Sequence, residues 1–258
     1  MSPAPPGSVL DGLARAPRLL VCCDFDGTLS HLVEHPGDAR PVPGAAAVLG
    51  DLGGLPGTYA ALVSGRSLDD LAALAGMPEH VHLVGSHGTE FARGQIESLD
   101  EGRRALLADV AAACDAIVAS APGVQAERKP ASVAVHVRRA SRPDAARVLA
   151  EVRSGPATIP GVHVTEGKEV IELAVVQAGK GHAVTTLRER WSVDAVLFVG
   201  DDVTDERAFE ALDPARDVGV KVGDGETLAG WRVADPDAVV ALLADLLQRR
   251  GSTRAEGP

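Results

Sequence analysis

The chain has 258 residues, enough for one large domain or two modest ones with a substantial core. Its 36 acidic and 25 basic residues leave a formal charge of −11 with no Lys/Arg run long enough to form a basic stripe, which argues against a nucleic-acid partner. An anionic ligand would therefore need a local exception to this field, such as a metal ion or a few placed Lys and Arg side chains.

In chain order, residues 1–16 are polar and Pro/Gly-containing and read as a flexible N-terminus. They lack the basic start and apolar core of a signal peptide. Leu19–Cys23 is an apolar run predicted to be a buried strand. With Cys114 further on, its Cys22 and Cys23 show neither zinc nor disulfide spacing, as expected for buried thiols of a reduced, cytoplasmic protein. Up to about residue 100, strand-like runs (Leu19–Cys23, Tyr59–Val63, Val81–Val84) alternate with helical stretches (Gly44–Leu52, Ser67–Ala75), the mark of βαβ units and a parallel sheet. Residues 101–177 change rhythm. Two helices (Arg103–Ala119, Arg142–Arg153) and two hairpins (Gly123–Lys129 with Ser132–Arg138, Val162–Glu166 with Glu169–Ala174) predict a smaller inserted α+β cap domain with one packed and one free sheet face. From residue 178 to 250 the core alternation resumes: helix Lys180–Trp191, strand Ala195–Gly200, helix Asp205–Leu212, strand Asp217–Val222, helix Pro236–Arg249. Residues 251–258 read as a second flexible end. No apolar run reaches membrane-spanning length, so no membrane association is expected.

Four segments carry chemistry. Asp24-Phe25-Asp26-Gly27-Thr28 directly follows the first strand, and in open α/β sheets ligands bind at the carboxyl ends of strands. Val63-Ser64-Gly65-Arg66 ends the second strand with a hydroxyl and backbone N–H groups suited to phosphate oxygens. Lys180 opens the helix that restarts the core. Gly200-Asp201-Asp202-Val203-Thr204-Asp205-Glu206 follows another strand with a hard-oxygen cluster suited to Mg2+. Singly, these have plainer readings as an Asx turn, a Ser helix cap, a solvated lysine and a capping cluster. A P-loop is excluded, since no Gly-x-x-x-x-Gly-Lys-Ser/Thr exists in the chain.

Taken in order, these segments resemble the haloacid dehalogenase superfamily of phosphohydrolases. Together with Gly85-Ser86-His87-Gly88-Thr89-Glu90, the longer forms resemble its trehalose-6-phosphate phosphatases, over about Leu19 to Leu247. Only 64 − 26 = 38 positions separate Asp26 from Ser64, too few for a cap, whereas 180 − 64 = 116 separate Ser64 from Lys180. This matches the late-cap sugar-phosphatase branch. The implied fold is a Rossmann-like core plus the inserted cap, and the implied reaction is Mg2+-dependent hydrolysis of trehalose 6-phosphate.

The resemblance and the charge argument together assign Asp24 as nucleophile forming an aspartyl-phosphate. Asp26 serves as general acid and base, and Ser64 and Lys180 hold the phosphoryl group. Mg2+ is held by the Asp24 side chain, the Asp26 carbonyl and Asp201, with Asp202 and Asp205 orienting the metal site and Lys180. Gly65, Arg66, His87 and Glu90 are expected against substrate in the core. In the cap, Glu127, Lys129, His136, Arg138, Lys168 and Glu172 are expected against the sugar. The expected partner is a phosphorylated sugar, with a trehalose-phosphate synthase as a candidate protein partner and a monomer as the expected state. Competing readings are another late-cap sugar phosphatase (glucosyl or mannosyl glycerol(ate) phosphate, sucrose 6-phosphate, a pseudo-disaccharide phosphate) and an inactive sugar-phosphate-binding regulatory subunit.

Overall fold

The computed structural model describes residues 3–92, 95–96, 99–167, 169–176 and 179–255. In chain order its elements are α1 (Gly7–Arg15), β1 (Leu19–Cys23), α2 (Ala45–Gly54), β2 (Thr58–Val63), α3 (Leu68–Ala75), β3 (His82–Val84), β4 (Glu90–Ala92) and β5 (Gln95–Ile96). Then follow α4 (Glu101–Val118), β6 (Gln125–Lys129), β7 (Ser132–His136), α5 (Arg142–Ser154), β8 (His163–Gly167), β9 (Val170–Ala174), α6 (Lys180–Trp191), β10 (Ala195–Gly200), α7 (Glu206–Glu210), β11 (Val218–Val222), β12 (Trp231–Val233) and α8 (Pro236–Ala255). They fall into two units, Met1–Arg93 with Gly179–Pro258, and Gly94–Ala178.

The first unit is built on a six-stranded parallel sheet in the order β12-β11-β10-β1-β2-β3. All five residues of β1 are buried. Their period of two sends Leu19, Val21 and Cys23 into one apolar layer and Leu20 and Cys22 into the other. Full burial of each such Leu or Val stabilises by about 1.5–3 kcal/mol, so the central strand is fixed from both faces. Local chemistry sets the helix ends. Ser67 accepts the Asp70 N–H at the start of α3, and Gly76 ends that helix with φ +56°.

The second unit is a four-stranded antiparallel sheet, order β6-β7-β9-β8. Val133, Val135, Ile171 and Leu173 lie in one core with Val110, Cys114, Val148 and Val152 of α4 and α5. The alternate residues, Ser132, Ala134, His136, Glu172 and Ala174, share the opposite face. Asp100 and Ser141 cap the two helices by accepting the N–H groups of Arg103 and Asp144.

Several features depart from the sequence expectations. Residues 7–15 form α1 rather than a loose end, because Leu10, Leu13 and Ala14 recur at helical spacing and are buried against α8 and the sheet. At the other end, α8 continues past Arg249 to Ala255, and Arg250 is fully buried. Its guanidinium donates to the carbonyls of Leu13, Ala14, Ala16 and Gly57 and to Thr58 Oγ1 at 2.6–3.3 Å. One charge thereby caps α1 and the turn before β2. β12 was also unforeseen; three residues are too few to show a period. Among the described residues, no helix is long and apolar enough to cross a membrane.

Arg250→Met would remove a donor from the Ala14 and Ala16 carbonyls and from Thr58 Oγ1, whereas Leu13 O and Gly57 O keep the N–H groups of Ala16 and Leu19. Each buried oxygen left unpaired costs about 1–3 kcal/mol. We expect a loss of roughly 3–5 kcal/mol in urea unfolding. A loss below ~1 kcal/mol would show that water replaces the guanidinium there.

Candidate active site

Strand β1 has β2 on one side and β10 on the other, so the chain reverses its direction of winding at β1/β10, and a crevice opens there at the carboxyl ends. The two strands run in register from Leu19 opposite Ala195 to Cys23 opposite Val199. Asp24 and Asp201 are the first residues beyond β1 and beyond β10. The Asp24 N–H donates to Val199 O at 2.9 Å, continuing the ladder by one bond, and the Asp24 side chain is only 6% exposed. Gly27 turns the chain with φ +77°, and a Cβ on it would stand 2.0 Å from Asp201 Oδ2. Only glycine lets the first motif approach the Asp201 carboxylate so closely. Thr28 Oγ1 donates to Asp201 Oδ1 at 3.3 Å.

The Lys180 ammonium, at the first residue of α6, is 2.8 Å from Asp24 Oδ1 and 2.6 Å from Asp205 Oδ1, and all three side chains are buried. Carboxylate oxygens of Asp24, Asp201 and Asp205 lie within 4.8 Å of one another. Burial pushes the Asp24 carboxyl well above its ordinary range against the pull of Lys180, with Asp205 and Asp201 pushing further upward. Burial and Asp205 likewise raise Asp201. Burial opposes charge on Lys180, but Asp24 and Asp205 outweigh it and hold the amine above its usual value. These directions agree, because three carboxylates around one ammonium leave two surplus negative charges. At about 4 Å and an effective dielectric near 20, each unit pair is worth about 4 kcal/mol, so the cluster suits a divalent cation with hard oxygen ligands.

Within that cluster the oxygens are not equivalent. Asp205 is fully buried, with Oδ1 on Lys180 and Oδ2 accepting the Asp202 N–H at 2.9 Å. It anchors Lys180 and the loop after β10. Asp202 caps the next turn by accepting the Val203 N–H. Lys221, missed from sequence, is 5% exposed in β11 and donates to the Asp201 backbone carbonyl. A lysine inside an apolar, fully buried strand was the available signal.

Asp26 is held differently. Arg66 grips it with Nε to Oδ2 at 2.7 Å and a terminal nitrogen to Oδ1 at 2.6 Å, and the Arg66 guanidinium lies 5.6 Å from the Phe25 ring. The bond to Asp26 raises Arg66 above its ordinary value, so the fork stays charged. Ser64 is 1% exposed, and its Oγ accepts the Arg66 N–H at 3.2 Å. The His87 ring lies over Gly65, where an added Cβ would be 2.5 Å from His87 Cε1. Ser86 and His87 both hold positive φ, +49° and +54°, a strained turn that their N–H bonds to Arg66 O and Ser64 O keep in place. Glu90, expected against substrate, is 5% exposed. Its Oε2 accepts the Leu68 N–H at 2.9 Å and the Ser86 hydroxyl at 3.3 Å, so it braces the start of α3.

The expected sugar residues separate into two groups on the face of the second sheet opposite α4 and α5. Lys129 Nζ and Ser132 Oγ bond Glu172 at 3.0 and 2.6 Å. Glu127 and His136 pair at 2.9 Å, and with Arg138 and Glu169, themselves 3.4 Å apart, they line an open cavity of about 840 Å³. Ser132 had no sequence signal beyond its place on the polar face. Lys168 lies outside the described residues.

The Trehalose-phosphatase family model matches residues 22–237. The chain belongs to the trehalose-phosphatase family. It is 35% identical over 249 residues to a trehalose-phosphate phosphatase of Mycobacterium ulcerans, covering 89% of this chain and 61% of that protein, so it spans about three fifths of the mycobacterial relative. Against a bifunctional trehalose-6-phosphate synthase/phosphatase of Thermoproteus tenax it is 34% identical, covering 90% of this chain and 32% of the other. The solved trehalose-6-phosphate phosphatase of Aspergillus fumigatus superimposes with a TM-score of 0.74 at 27% identity, covering 96% of this chain and 99% of that one. The family's fold is thus a parallel α/β core with a separate antiparallel sheet, as here.

Lys180→Met would leave the Asp24 and Asp205 carboxylates buried without their ammonium. We expect a stability loss of roughly 3–5 kcal/mol near neutral pH that shrinks on acidification. The sign follows because carboxylates raised in the folded state bind more protons there than in the unfolded chain. A deficit independent of pH in urea titrations would contradict the charge account.

Proposed function

We propose that this chain hydrolyses trehalose 6-phosphate to trehalose and inorganic phosphate through an aspartyl-phosphate on Asp24. The observation that carries this reading is the buried Asp24 carboxylate at the end of β1, ion-paired to Lys180 and beside Asp201, in a chain of the trehalose-phosphatase family. A carboxylate attacking a phosphate dianion meets a repulsion of roughly 8 kcal/mol under the conditions above, which positive charge at the site must cancel. Lys180 supplies part of it. A bound Mg2+ would supply the rest, neutralising the transferring oxygens. The fitting ligands are Asp24 and Asp201, with the Asp26 carbonyl, because both Asp205 oxygens already hold the Lys180 ammonium and the Asp202 N–H.

Asp24 forms the bond to phosphorus as the sugar oxygen leaves, splitting one displacement into two. Asp26 gives that oxygen a proton and later takes one from the hydrolytic water. Its carboxylate rests on Arg66, so the incoming phosphate would have to draw the guanidinium away before Asp26 acts. Ser64 supplies a hydroxyl to the phosphate oxygens. In the second unit, Lys129, Glu172, Glu127, His136 and Arg138 offer the mixed donors and acceptors a disaccharide needs, and Lys168 is assigned with them from the sequence. The Thermoproteus tenax relative supports a trehalose-phosphate synthase as the protein partner.

Phosphate release from trehalose 6-phosphate, compared with a panel of other sugar phosphates, tests this reading. Asp24→Asn should lower turnover on the order of 10³-fold or more with the fold retained by circular dichroism. Substantial turnover by that variant would exclude Asp24 as nucleophile.

A second test needs no turnover. The raised Asp24 and Asp201 carboxyls mean that the metal-free protein loses their contribution as pH rises through their folded values. Mg2+ binding should offset that loss, so the Tm gain on adding Mg2+ should be larger at pH ~8 than at pH ~5. The same gain at both pH values would place the ion elsewhere.

A further inference from the structure

We propose that Ser132 is a positioning residue for sugar recognition, fixing the orientation of the Glu172 carboxylate; this rests on the reading above that the substrate is a phosphorylated sugar. Lys129, Ser132 and Glu172 come from three neighbouring strands, β6, β7 and β9. Lys129 stands directly opposite Ser132, and Glu172 is the diagonal neighbour of Ser132, whose direct partner is Ala174. Ser132 is 5% exposed, and its hydroxyl points across the strands to Glu172 Oε1 at 2.6 Å. Lys129 Nζ holds the other oxygen, Oε2, at 3.0 Å.

One donor on each oxygen stops the carboxylate from rotating. A lysine alone could not do this, since an ammonium is a point charge on a flexible stem. The serine adds direction without adding charge, so Glu172 keeps more of its pull on sugar hydroxyls than it would between two cations. Another pair on this face differs. Glu127 and His136 are 55% and 43% exposed and hold each other by a single bond. Among the described residues, the face therefore combines a preset acceptor with more exposed, adaptable pairs, Glu127–His136 and Arg138–Glu169. Preset polar groups discriminate between polyols, because a misplaced hydroxyl leaves a fixed acceptor unmatched.

The test compares Ser132→Ala and Ser132→Thr with wild type on trehalose 6-phosphate and on p-nitrophenyl phosphate, which has no sugar. For Ser132→Ala we expect KM for the sugar ester to rise about 5- to 50-fold, with kcat/KM for p-nitrophenyl phosphate within about twofold. Ser132→Thr, which keeps the hydroxyl, should recover most of the loss. Free trehalose should also inhibit p-nitrophenyl phosphate hydrolysis more weakly in Ser132→Ala, a readout independent of sugar-ester turnover. Equal losses on both substrates would overturn the proposal in favour of a folding role, and no loss on either would overturn it outright. If wild type instead prefers another sugar phosphate, the trehalose reading fails alone, and the same comparison with that sugar decides on Ser132. If no sugar phosphate is preferred over p-nitrophenyl phosphate, both fall.

Discussion

The Lys180 ammonium between Asp24 and Asp205 is the contact on which the rest of the first unit's site depends. Burying a carboxylate costs several kcal/mol unless a cation and hydrogen bonds compensate it, and here two carboxylates share one ammonium with a third close by. The surrounding structure meets that constraint. Asp205 spends its second oxygen on the Asp202 N–H, Thr28 donates to Asp201, and Lys221 fastens the Asp201 carbonyl. Gly27 is the steric counterpart, since any side chain there would occupy the Asp201 carboxylate's position. The same crowding of carboxylates suits the site to a divalent ion.

Arg66 shows a second economy. The residue that meets Asp26 with a two-pronged grip also lies against the Phe25 ring, so one guanidinium fixes two neighbours of the first motif. The turn that carries it is buttressed from the next loop, by the His87 ring over Gly65, by backbone bonds from Ser86 and His87, and by Glu90 at the start of α3. Positive φ at two successive non-glycine residues is tolerated because those bonds hold the turn from both sides.

The second unit solves a different problem. Its sheet packs one face on α4 and α5 through Val133, Val135, Ile171 and Leu173, and the antiparallel period of two then places Glu127, Lys129, Ser132, His136 and Glu172 on the other face. That face presents a carboxylate held by two donors and an exposed Glu–His pair, so hydrogen-bonding groups dominate it.

Much of this was legible without coordinates. Strand β1, the acid pair after it, and the Gly-Asp-Asp segment after β10 are short-range patterns, in which apolar runs end at acids, and such patterns survive in one dimension. The change of rhythm between residues 101 and 177 likewise marked a second, antiparallel unit. Neighbour identity was not legible. That Glu90 accepts from Leu68 and Ser86, that Asp26 rests on Arg66, that Lys221 reaches the Asp201 carbonyl and that Ser132 bonds Glu172 are contacts between residues 4 to 40 positions apart, or across strands whose order the chain does not spell out. The ends of the chain make the same point. Arg250 lies one residue past the predicted helix and carries a full charge, yet it is buried because five oxygens from Leu13 to Thr58 converge where α8 passes them. Sequence alone determined which chemical groups stand at which strand ends. Only the tertiary structure decided which of them share a charge, because pairing depends on distances set by sheet order and burial.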